Sequence, residues 1–190
     1  MINAIFRAIF ILSGWKITGH TQHSFTKGVY AVCPHASWID FLVGLGTRAA
    51  LRYPIGYLGK EELFKPPFGF IFRWLGGRPV KRNQKSNLVA SQVAAVREAD
   101  QFLFALAPEG TRGDVGKLRT GFYFMAYEAG IPIFPVAFDY GRKEARFAPP
   151  FFPTGDFEQD MKTYFVPFFE DVQGIKKTWI QNYRNGKFDG

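Results

Sequence analysis

Val29-Tyr30-Ala31-Val32-Cys33-Pro34-His35-Ala36-Ser37-Trp38-Ile39-Asp40 is the stretch whose reading decides the fold. Its first five residues are an unbroken apolar run, the pattern of a strand buried in a sheet. Pro34 ends the run, and from about Ile39 the apolar Phe41-Leu42-Val43 carries on as a Gly-containing helix to about Ala49. His35 therefore stands where a strand ends and a helix begins. In open α/β sheets that is where ligands are kept.

Histidine and aspartate at this spacing suit proton transfer. A neutral imidazole is the usual group for taking a proton from a hydroxyl near pH 7. It needs a partner on its other nitrogen to fix the tautomer and stabilise the imidazolium. A carboxylate five positions on, across one helical turn, can fold back to supply it. Taken alone, the same residues also describe a surface histidine before a helix, with Asp40 as a first-turn acid favoured by the helix dipole. Support has to come from the rest of the chain.

Outward from this stretch, strands and helices alternate. Residues 55–58 read as a second strand and 66–75 as a nearly all-apolar helix, either buried or facing lipid or an acyl chain. Arg78-Pro79-Val80-Lys81-Arg82 reads as a short third strand, 86–99 as a helix and 102–107 as a fourth strand. A helix over about 121–128 and a strand over 133–138 follow. This order predicts an α/β fold: one domain with a mostly parallel central sheet and helices on both faces. Residues 17–28 look like a polar connector or short hairpin. After Gly141 the chain is basic and rich in Pro and Phe, with a helix near 174–183.

Within 190 residues, one domain of 17–190 is expected, preceded by an amphipathic helix over 1–16. That helix carries Arg7 in its middle and Trp15-Lys16 at its end, which makes it a candidate for lying in a membrane interface or for packing on the domain's own core. No stretch reaches the roughly 18 apolar residues that span a bilayer. The count of 22 phenylalanines exceeds the ordinary needs of such a core and points to an apolar cavity or a membrane contact. A single cysteine, Cys33, excludes an internal disulfide and suggests a reducing compartment.

Net charge is +8, and residues 51–120 hold twelve Lys/Arg against six Asp/Glu. A basic region of this kind implies an anionic partner, unless it is simply a basic surface. Ala107-Pro108-Glu109-Gly110-Thr111-Arg112 supplies a place for one. Gly110 lets backbone N–H groups approach a ligand, and Arg112 offers a planar fork suited to phosphate. Glu109, at the end of a buried strand, needs a partner there, either a basic group or a substrate hydroxyl. Arg82, at another strand end, is a second candidate phosphate contact. In a parallel sheet the ends carrying His35, Arg82 and Glu109/Arg112 converge on one crevice.

These blocks resemble a known family. His35-Ala36-Ser37-Trp38-Ile39-Asp40 is similar to the H-x4-D block of the glycerolipid and lysophospholipid acyltransferases, the PlsC-like family to which 1-acyl-glycerol-3-phosphate acyltransferases belong. Gly77-Arg78-Pro79-Val80-Lys81-Arg82 resembles its second block, Pro108-Glu109-Gly110-Thr111-Arg112 its third and Ile131-Pro132-Ile133-Phe134-Pro135-Val136 its fourth. All four stand in order between about residues 29 and 138. The Arg78-Pro79 pair departs from the small or apolar residues more usual in block two.

The resemblance implies that His35 is the general base and Asp40 orients it. A lysolipid hydroxyl then attacks an acyl thioester directly, without an acyl-enzyme. It implies that Arg82 and Arg112 hold the acceptor's phosphate, with Glu109, Gly110 and Thr111 shaping the pocket. The acyl donor would be acyl-CoA or acyl-carrier protein, both polyanionic. No cofactor and no metal are implied; three His and one Cys form no ligand set. The expected partners are a lysolipid acceptor, the acyl donor and a membrane surface, with no nucleic acid, and the expected location is the cytoplasmic face of the membrane, peripherally. The acceptor stays open between lysophosphatidic acid, another lysophospholipid and a phosphate-free lyso-aminolipid.

Two rivals stand beside this. Cys33, two residues before His35, could be a nucleophile, although residues i and i+2 of a strand are poorly placed to share a proton. A non-catalytic basic protein bound to membrane or nucleic acid would use bases interleaved with aromatics such as Arg73-Trp74. That rival leaves the H-x4-D and P-E-G-T-R blocks without a purpose.

Overall fold

A computed structural model describes residues 2–80, 85–174 and 177–188. Among them, seven strands form one sheet: β1 (Lys16–Gly19), β2 (Lys27–Cys33), β3 (Gly56–Lys60), β4 (Gly77–Val80), β5 (Phe102–Leu106), β6 (Ile133–Asp139) and β7 (Glu144–Phe147). Their order is β1-β7-β6-β2-β5-β3-β4. From β6 to β4 all neighbours are parallel, whereas β7 turns back antiparallel along β6 and β1 runs parallel to β7. The sheet is thus mostly parallel, as its alternating sequence pattern predicts, with two reversed strands at one edge.

The helices are α1 (Ile2–Leu12), α2 (Ile39–Leu51), α3 (Gly69–Trp74), α4 (Lys85–Glu98), α5 (Gly121–Ala129), α6 (Phe157–Asp160), α7 (Val166–Phe169) and α8 (Thr178–Arg184). A π-helical turn, Met161–Phe165, joins α6 to α7. Strand period decides which layer each residue joins. Val29, Ala31 and Cys33 of β2 face a core completed by α4, α5, α7, α8 and the π turn, through Val96, Tyr123, Phe165, Phe169 and Trp179. Tyr30 faces the other core, where Phe10 of α1, Val43 of α2, Trp15 and Phe138 meet. Helices therefore cover both faces.

Three expectations change. The connector over 17–28 begins as β1, because Ile17 and Thr18 find free backbone partners on β7. The segment after Gly141 supplies β7 and the α6–α7 layer, where aromatic packing such as Phe165 on Phe169 replaces a periodic signal. The helix expected over 66–75 is the shorter α3, preceded by a 3-10 turn, Glu61–Phe64. Its Phe70 and Trp74, with Phe68 just before it, are exposed rather than buried.

The helix expected over 1–16, left open between a membrane interface and packing on the domain, is α1 over Ile2–Leu12 and has both a buried and an exposed side. Phe10 is buried against α2 at Gly46, where an added Cβ would stand 2.7 Å from the Phe10 Cβ. On the outer side Ile5, Ile9 and Leu12 are exposed. Among the described residues no helix is long and apolar enough to cross a membrane.

Candidate active site

Pro34 cannot donate to the ladder, so β2 stops at Cys33 and four residues, His35 to Trp38, lead into α2. Asp40 sits in the first turn of α2 and turns back over that connection. Its Oδ2 accepts from the backbone N–H of Ala36 and of Ser37, each at 2.8 Å, and lies 2.9 Å from His35 Nδ1. Its Oδ1 accepts from the Tyr140 hydroxyl, just beyond β6. Asp40 is both the helix-start acid and the partner of His35.

Burial would raise the pKa of Asp40, but hydrogen bonds from His35, Tyr140, Ser37 and Ala36 outweigh it and hold the carboxyl below its ordinary value. It stays ionised at neutral pH. A carboxylate only accepts, so Nδ1 carries the hydrogen, and in the neutral ring Nε2 is the acceptor. The His35 side chain is 28% exposed, and Nε2 bonds to no described residue.

Glu109 closes the other side. It stands three residues past β5, and its Oε2 accepts from the His35 backbone N–H at 2.7 Å, its Oε1 from Trp179 Nε1 at 3.2 Å. Within the chain, two neutral donors stand where a basic group was expected. Those donors are too few to offset burial, which pushes the Glu109 carboxyl up to about 7. The neighbouring Cys33 thiol is wholly buried; burial first and the Glu109 charge second raise it well above its ordinary value. A thiol kept in that form is a poor nucleophile.

Gly110 follows with φ of +69°, in the left-handed region. A Cβ there would lie 2.2 Å from Arg119 Nε, so the bare backbone makes room for that guanidinium. The Thr111 hydroxyl accepts from the Gly113 N–H at 3.3 Å, tying the turn locally. Arg112 is exposed, and its side chain bonds to no described residue. Arg82 lies outside the described residues. The fold therefore joins His35, Asp40 and Glu109 in one network, places Gly110 beside it, and leaves Thr111 and Arg112 on the open side of the same turn.

Sequence reasoning missed Tyr140, Trp179 and Arg119. Tyr140 had a signal in its place just past the strand read over 133–138, an end that a parallel sheet brings to the same edge as His35. Trp179 had none, since α8 reaches Glu109 from 70 positions away. Among the described residues no three His, Cys, Asp or Glu side chains cluster as metal ligands would.

A family model described as Acyltransferase matches residues 16–139. No match is found among curated proteins. Among solved structures the chain is similar to the crystal structure of the 1-acyl-sn-glycerophosphate (LPA) acyltransferase, PlsC, from Thermotoga maritima, with a TM-score of 0.59 and 20% identity. The match covers 98% of this chain and 78% of that one. At that identity the likeness is one of fold.

Proposed function

The chain belongs to the acyltransferase family, and from that premise we propose that it moves a fatty acyl group from an acyl thioester to the free hydroxyl of a lysolipid. The first candidate acceptor is 1-acyl-glycerol-3-phosphate, the lipid in the name of the similar PlsC structure. The observation that carries the proposal is the bare, part-exposed Nε2 of His35, whose ring is held from behind by an ionised Asp40.

In the proposed reaction Nε2 takes the proton of the acceptor hydroxyl as its oxygen bonds to the thioester carbon. Asp40 holds Nδ1–H throughout and stabilises the imidazolium. Collapse of the tetrahedral intermediate breaks the C–S bond, and the departing sulfur takes the proton back from His35. No acyl-enzyme forms. Glu109 fixes the main chain at His35, so in this scheme it shapes the site while Arg82 and Arg112 grip the acceptor's phosphate, beside Gly110 and Thr111.

The donor is acyl-CoA or acyl-carrier protein, whose negative charge suits the basic segment 51–120. The outward apolar residues of α1 and α3 support peripheral binding at the cytoplasmic face of a membrane. The test is thiol release from acyl-CoA and from acyl-carrier protein across a panel of lysolipids, with products read by mass spectrometry. Turnover that survives Cys33→Ala and is lost in His35→Ala is the expected result. No release with any acceptor, or full turnover in His35→Ala, sinks the proposal.

A further inference from the structure

A second candidate site lies at the far end of α2. That helix has 13 residues, so its C-terminus stands about 20 Å from the His35 end. There, beside the packed contact of α1 with α2, lies an open cavity of about 700 Å³, lined by Ala4, Arg7, Ala8 and Ile11 from α1 and by Arg48 and Arg52 from the end of α2. No carboxylate is among its lining residues. Arg48 is partly committed, donating from Nη1 to the carbonyls of Leu75 at 2.6 Å and Ile55 at 3.2 Å. The side chains of Arg7 and Arg52 are exposed and pair with no described acid.

Arg52 holds φ of +60° at the C-cap of α2, a left-handed position that glycine or asparagine takes at little cost and arginine does not. A cation at a helix C-terminus is favourable in itself, which accounts for Arg48 and Arg52. It does not account for Arg7, which comes from another helix. The partial charge of the helix end is only about half a negative unit, so three guanidinium groups leave the cavity strongly positive.

Beside this positive cavity α1 presents hydrocarbon. Ala4, Arg7, Ala8 and Ile11 form the stripe toward the cavity, and Ile5, Ile9 and Leu12, 53%, 52% and 86% exposed, form the next stripe round the helix. Phosphate on one stripe and acyl chains on the other describe an amphiphile. We propose that this cavity binds the phosphate of an anionic phospholipid in the membrane surface, held by Arg7 and Arg52, with the α1 stripe in the acyl boundary. This rests only on the membrane-surface part of the proposed function and does not involve the reaction.

The test is sedimentation of the full chain with vesicles of phosphatidylcholine, alone or with phosphatidylglycerol admixed. Anionic vesicles should bind the protein more tightly, and Arg7→Gln with Arg52→Gly should weaken that binding at least roughly tenfold, the scale of losing two cations from an anionic surface. Glycine takes the φ of Arg52 freely, so an unchanged or raised thermal midpoint should accompany the loss.

Equal weakening by Lys162→Gln with Lys187→Gln, two exposed lysines elsewhere, would overturn the site in favour of diffuse charge. Equal binding of neutral vesicles would overturn it in favour of the apolar stripe alone. Displacement from vesicles by millimolar inorganic phosphate or glycerol phosphate would make it a site for a free phosphate compound instead. A failed turnover assay beside a positive vesicle result would remove the reaction and leave this site standing.

Discussion

Asp40 and Glu109 are buried to nearly the same degree, 5% and 6% exposed, and both hold the same residue, His35. Their pKa values nevertheless move in opposite directions, Asp40 below its ordinary value and Glu109 up to about 7. The difference is the number of donors. Asp40 receives four hydrogen bonds, two of them from the backbone of the connection just before α2, whereas Glu109 receives two. Burial alone does not make a neutral acid; a carboxylate given enough donors stays charged in the interior. The site thus keeps one permanent negative charge behind the base and a second acid that titrates near neutrality beneath its main chain.

The largest expected effect comes from removing what the two carboxylates share. His35→Ala should lower turnover at least about a hundredfold, the low end for a lost general base, as read by thiol release. Asp40→Asn should follow, at roughly tenfold or more, because an amide no longer guarantees hydrogen on Nδ1 and no longer stabilises the imidazolium. An Asp40→Asn enzyme with full turnover would reduce Asp40 to a helix-start cap, and the contrast with Glu109 would then concern folding alone.

Glu109 sharpens the comparison through stability. Its folded value of about 7 lies above the 4.5 of an ordinary glutamate. Between those values the folded chain binds a proton that the unfolded chain has lost, so stability falls as pH rises from about 4.5 to about 7 and is level above. The fall is up to about 3 kcal/mol for a shift of this size. Asp40 has the opposite sign: its contribution is present above its ordinary value and is lost as pH falls through its lowered one. Urea unfolding of the wild type and of Glu109→Gln at pH 5 and pH 8 should show the variant less sensitive to pH over this window. Equal slopes in both would mean that Glu109 is ionised throughout, and the donor-counting explanation would fail.

What the sequence made legible follows the range of the physics. The apolar run of β2, its stop at Pro34 and the five-residue step to Asp40 are local, and the alternation of strands with helices pointed to the parallel sheet from β2 to β6. The reversed edge was not legible, because four-residue strands such as Lys16–Gly19 and Glu144–Phe147 carry too little period to separate them from loops. Nor was the fate of the apolar segment at 66–75. Composition says that such residues avoid water, but only tertiary placement says which of them fail to, and Phe70 and Trp74 fail. The chain's own donors to Glu109 were not legible for a related reason. A buried acid announces that it needs donors, and nothing local announces that one of them will be an indole on α8.

Tyr140 offers the smallest and most discriminating test. Its hydroxyl is one of four donors to Asp40 and the only one on Oδ1 among the described residues. Tyr140→Phe keeps the ring, which packs edge-on against Trp15 with centroids 5.2 Å apart, and removes only that donor. The cost in stability should be about 1 kcal/mol, the ordinary scale for one hydrogen bond. Turnover should fall only a few-fold, because Oδ2 and His35 are left in place. With one donor fewer the Asp40 carboxyl should titrate at higher pH, so the stability it contributes should be lost earlier on acidification, as read by urea unfolding below neutral pH. A loss as deep as that of Asp40→Asn would mean that the four donors are not interchangeable and that Tyr140 positions the carboxylate rather than merely sustaining its charge.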